Sequence, residues 1–97
     1  MKVNICGIPH SVIYCEDTID AGDTRFGQIE YLEAKIKINK NATKELQEET
    51  LCHEMVHGIL VHIGRQDLND DENFVQALGN AIFNGFEVKR YDESGDK

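Results

Sequence analysis

Two hydrophobic rhythms divide this chain. In the first half, apolar and polar residues alternate one by one. "KVNIC" and "SVIYC" are rich in Val, Ile and Tyr, and the Gly-Pro signal "GIPH" between them reads as a turn. "FGQIEYL" and "AKIKINK" repeat the alternation more cleanly: Ile29 and Tyr31 against Gln28 and Glu30, then Ile36 and Ile38 against Lys35 and Lys37. A period of two sets one face of each strand on a core and leaves the other wet. The short gap between these two runs predicts a hairpin. The whole region, residues 2–39, is expected to form a small antiparallel sheet.

In the second half the rhythm changes to that of helices. A first helix begins near Asn41 to Thr43, both plausible N-caps, with Glu45, Glu48 and Glu49 at the positive end of the helix dipole. It runs to about Ile63, where Gly64 is a natural stop. "RQDLN" reads as a connector. A second helix spans about Asp70 to Asn84, with Phe74, Leu78, Ala81 and Ile82 as its apolar stripe. The expected architecture is α+β: one domain over residues 1–88, its sheet packed on two helices. Residues 89–97, "KRYDESGDK", read as a flexible tail. "EDTIDAGDT" reads as a solvated loop, because Glu16, Asp17, Asp20 and Asp23 do not follow EF-hand spacing.

The first helix contains an anomaly. "ETLCHEMVHGILVH" is mostly apolar, yet it carries three histidines and a glutamate away from any helix end. His53, Glu54 and His57 form H-E-x-x-H. Residues four apart share a helix face, so both imidazoles can reach one ion, while Glu54 can hold a water beside it. A metal also accounts for polar groups in a small core, where they are costly unless satisfied. The plainer alternative is a pair of surface histidines on an acidic helix.

A catalytic zinc usually takes three protein ligands and keeps a position for water. His62 lies five residues past His57, about 140° round the helix from it, and is excluded unless the helix breaks at once. The metzincin pattern needs Gly at position 60 and His at 63, where this chain has Leu60 and Ile63. Glu72 is the better third ligand, since an antiparallel helix pair returns it to His53 and His57. Asp70 and Asp71 can substitute geometrically, although favourable charge at a helix N-terminus already explains them. Cys52 points about 100° away from His53 on the helix and reads as a small buried hydrophobe.

Composition narrows the field. The chain has 97 residues and 40% hydrophobic content, which suits one globular domain. Its net charge of −8 argues against direct nucleic-acid binding and favours a basic partner or simple solubility. No apolar run approaches the roughly 20 residues that span a bilayer, and "MKVNICGIPH" has no signal-peptide h-region. A cytoplasmic protein with reduced cysteines is expected, although Cys6 and Cys15 bracket the first hairpin and leave a disulfide open.

"FGQIEYLEAKIKINK", "EETLCHEMVHGI" and "DENFVQALGNAIF", in this order, cover about half the chain. They resemble the ImmA/IrrE-type metallopeptidases, and more closely the short phage and prophage proteins of that group. H-E-x-x-H is shared by many zincins; Glu followed by Phe-Val in the second helix is more discriminating. The resemblance implies a minimal gluzincin core with one zinc on His53, His57 and Glu72, and Glu54 as general base. It implies a protein substrate, such as a mobile-element repressor. Two departures stand out: these 97 residues do not include the extra helices or domain of longer relatives, and Gln76 stands where gluzincins often have Asp. Gln76 can still accept from a histidine N–H. An oxyanion donor would come from Tyr31, His62, His10 or Tyr91. The alternative function is a non-catalytic zinc-containing module that docks onto such a repressor; it has less need of the base Glu54.

Overall fold

The computed structural model describes residues 1–16 and 26–91. The element order is β1 (Lys2–Ile5), β2 (Ile8–Cys15), β3 (Gly27–Glu30), β4 (Lys35–Asn39), α1 (Lys44–His62), α2 (Gln66–Asn69) and α3 (Glu72–Gly85). The fold is α+β, as expected. The proposed acidic loop residues Asp17, Asp20 and Asp23, and residues 92–97, lie outside the described residues.

The sheet is mixed rather than wholly antiparallel. Strand order is β1-β2-β4-β3, with β1–β2 and β3–β4 antiparallel and β2–β4 parallel. The alternation of apolar residues was a true signal of strands, but it carries no information about partners. After β2 the chain crosses to the far edge, forms β3, and returns through a tight turn, so β4 runs in the direction of β2. The cross-strand pairs Val3–His10, Val12–Ile36 and Ile29–Ile36 line one face, and Val3, Ile5, Val12, Ile36 and Ile38 are buried there. The first hairpin turns at Cys6 and Gly7, both with positive φ, rather than at "GIPH". Pro9 is therefore a strand residue opposite Asn4. Cys6 and Cys15 lie at opposite ends of β2 and form no disulfide with each other, and Cys52 is buried.

Helix α1 starts at the Thr43 cap, whose hydroxyl accepts from the Leu46 N–H at 3.2 Å. It ends in a Schellman arrangement: the Arg65 N–H bonds the Leu60 carbonyl and the Gly64 N–H that of Val61, with Gly64 at φ +77. The helix is covered on two sides. Leu51 joins the core under the sheet, and Val56 and Leu60 join Val75 of α3 with Leu68, Phe74 and Ile82. This double cover explains apolar residues around so much of its circumference. The connector expected at "RQDLN" closes into the single turn α2. Asp71 then caps α3 by accepting from the Phe74 N–H, so Glu72 is the first helical residue.

At Gly79 the backbones of α1 and α3 nearly touch. A Cβ there would lie 3.1 Å from the His53 Cα, closer than ordinary packing allows. The start of the expected tail is also tied down. Tyr91 pairs in antiparallel fashion with Lys2, its hydroxyl bonds Asn4, Arg90 pairs with Glu48 at 2.8 Å, and Val88 packs on the sheet-side core. Composition suggested fraying at residues 89–91, yet these long-range contacts hold them.

Candidate metal centre

His53 and His57 come from consecutive turns of α1, and Glu72 opens α3. Their potential ligand atoms all lie within 4.8 Å of one another. The Glu72 carboxylate straddles the two rings, one oxygen 3.2 Å from His53 Nε2 and the other 3.1 Å from His57 Nε2. The Schellman close at Gly64 and the one-turn α2 bring Glu72 there; Gly79 lets α3 lie close enough.

Each imidazole is also held from behind. His53 Nδ1 is 2.8 Å from Gln76 Oε1, and His57 Nδ1 is 2.7 Å from Asn69 Oδ1. The Gln76 amide nitrogen donates to Asn80 Oδ1 at 3.1 Å, which fixes its oxygen toward His53. A neutral imidazole has one N–H. Donated from Nδ1 to an amide oxygen, it leaves a lone pair on Nε2, and both lone pairs face a carboxylate. Three such atoms converging on one point could hold a cation, and the same contacts also suit a protonated imidazole donating from Nε2 to the carboxylate. Tetrahedral zinc at about 2.0–2.1 Å from its ligands sets neighbouring ligand atoms about 3.4 Å apart. The two nitrogen–oxygen distances, one to each carboxylate oxygen, are close to that edge, and all three candidate ligand atoms lie within 4.8 Å of one another, so the donor set could hold such an ion. Two imidazole nitrogens and one carboxylate are among the donor sets that catalytic zinc sites use.

Glu54, on the next position of α1, is only 8% exposed and lines the same cleft. The cleft holds about 870 Å³. Phe26 and strand β3 as far as Ile29 form one wall, and α1 another, from Leu46 to His57, with Glu72 and Gln76 of α3 at the end. As the last strand in the order, β3 is a sheet edge.

The expected oxyanion candidates separate clearly. Tyr31 follows β3, lies near Asn69, and feels the charges of Glu54 and Glu72. Partial burial first, and those carboxylates second, push its hydroxyl above the ordinary tyrosine value, while Asn69 opposes them. Tyr31 therefore keeps its proton at neutral pH. His62 is exposed and meets the edge of the buried His10 ring, centroids 5.8 Å apart; His10 in turn bonds the Ile8 carbonyl. Tyr91 lies at the opposite sheet edge, on β1. Cys52 is buried, and burial followed by Glu48 raises its thiol above the usual value. Asp70 and Asp71 are engaged by Gln66 and the Phe74 N–H.

Asn69 was not anticipated. It sits in a stretch that reads as a polar connector, and nothing in its spacing from His57 marks it. Leu46 and Glu49 were also missed, although they continue the face of His53 by seven and four residues. No protein-family model matches this chain, and neither a curated protein nor a solved structure matches it. The site is defined by its own geometry: two imidazoles and a carboxylate converging beside a buried glutamate in a cleft. No helix among the described residues is long and apolar enough to cross a membrane.

Proposed function

We propose that this chain is a zinc-dependent metallopeptidase of the minimal gluzincin kind, cleaving a peptide bond in a protein partner. The observation that carries the reading is the convergence of His53, His57 and Glu72 at one point, with Glu54 beside it in an open cleft. His53, His57 and Glu72 would hold one zinc per chain. Zinc, when bound, supplies a Lewis acid that makes water a stronger acid and polarises a carbonyl. Glu54 accepts the proton of the attacking water and passes it to the leaving amine. Gln76 and Asn69 orient the rings by accepting from their Nδ1–H groups. Of the oxyanion candidates, Tyr31 stays protonated and feels the charges of Glu54 and Glu72, so it is the first to test as a donor. Among the described residues β3 is an edge strand, and its outer backbone N–H and C=O groups would pair with an extended substrate.

The partner class follows from the resemblance already drawn: a repressor of a phage or other mobile element, met in the cytoplasm. Glu54→Gln tests the reading. It keeps size and both imidazoles, so zinc and fold are retained. Cleavage should fall by roughly 10²–10⁴-fold, the usual contribution of a general base. Glu72→Ala should lose zinc and activity together. If the Glu54→Gln protein displaces the repressor from DNA as well as the original, and neither yields fragments, the chain acts as a zinc-containing docking module and the peptidase reading is wrong.

A further inference from the structure

The cleft continues beyond the metal ligands toward the start of α1. Leu46, Glu49, Thr50, His53 and His57 form one stripe along the helix, and Phe26 stands across from it. The cleft lining contains three carboxylates, Glu49, Glu54 and Glu72, and no lysine or arginine. Glu72 belongs to the ligand set and Glu54 to proton transfer. Glu49 has neither task. It is half-buried, and among the described residues it has no ion-pair partner.

We infer that the outer cleft selects a lysine or arginine of the substrate, with Glu49 as the specificity-determining residue. This rests on the peptidase reading. Glu49 lies four residues before His53, about 6 Å along the helix axis. An extended peptide advances about 3.3 Å per residue, so the recognised side chain falls within two residues of the hydrolysed bond. Phe26 and Leu46 are apolar walls for its methylene stem, and the Glu49 carboxylate takes its charged head. The net charge of −8 adds long-range attraction for basic partners.

The test is digestion of a mixed peptide library by the zinc-loaded protein, with cleavage sites read by mass spectrometry. Lysine and arginine should be enriched roughly fivefold at one position within two residues of the cut, the range expected for a partly exposed ion pair. Glu49→Gln should remove the enrichment, and Glu49→Lys should replace it with Asp and Glu, both variants still binding zinc. Cleavage without basic enrichment, or with enrichment that survives Glu49→Gln, overturns the inference and leaves the peptidase reading standing. Absence of any cleavage by the zinc-loaded protein counts against the peptidase reading. The cleft preference is then decided by binding of arginine hydroxamate and glutamate hydroxamate. Tighter binding of the arginine compound, lost in Glu49→Gln, supports the inference; equal binding overturns it.

Discussion

Removing the acceptors behind the two histidines should weaken zinc binding unequally. Asn69 and Gln76 each accept from an Nδ1–H, at 2.7 and 2.8 Å. Loss of such a partner typically costs about 10–100-fold in metal affinity, or about 1.4–2.7 kcal/mol. Burial decides where each falls in that range. Asn69 is only 9% exposed, so water cannot readily replace its oxygen. Asn69→Ala should approach the hundredfold end. Gln76 is exposed, and water can take over its role; Gln76→Ala should cost about tenfold or less. Competition against a fluorescent zinc chelator measures both, with circular dichroism to verify that each variant is folded. If Gln76→Ala costs as much as Asn69→Ala, or if neither changes affinity, the orienting role assigned to these amides is wrong.

Gly79→Ala should destabilise the fold by about 1–3 kcal/mol in urea titration, since its Cβ would press on the His53 backbone. The same variant should weaken zinc binding, because any shift of α3 carries Glu72 with it. Asp71→Ala removes the N-cap of α3 and should cost about 1 kcal/mol, read from the same titration. Arg65 holds the Asp67 carboxyl down to about 2 through paired hydrogen bonds. A carboxyl with a depressed folded value stabilises the fold above its unfolded value, and that contribution is lost as pH falls toward 2. Carbon-detected NMR titration should place Asp67 near 2 in the original protein, and Arg65→Ala should return it to the ordinary carboxylate range.

Strands with one wet face and the H-E-x-x-H helix were legible because their signals are local. Ile36 and Ile38 announce a strand wherever it sits, and His53 and His57 share a helix face whatever surrounds them. Glu72 was within reach for the same reason: a short connector between two helices returns the chain. Partnership was not legible. The parallel β2–β4 pairing depends on where β3 inserts, and the alternation of apolar residues is the same for either neighbour. Asn69 under His57 and Tyr91 against Lys2 are contacts between distant residues, which single-chain periodicity does not encode. Glu49 is the instructive omission. Its helical relation to His53 was visible, but its acidic character was absorbed by the favourable charge expected near a helix start.

The central claim is that His53, His57 and Glu72 bind one metal ion. Anomalous X-ray diffraction at the zinc edge, on crystals grown with zinc, locates the ion directly. The account predicts one strong peak per chain within bonding reach of His53 Nε2, His57 Nε2 and the Glu72 carboxylate, absent in crystals of Glu72→Ala. No peak at that point, or a peak at the His10–His62 pair instead, would contradict it.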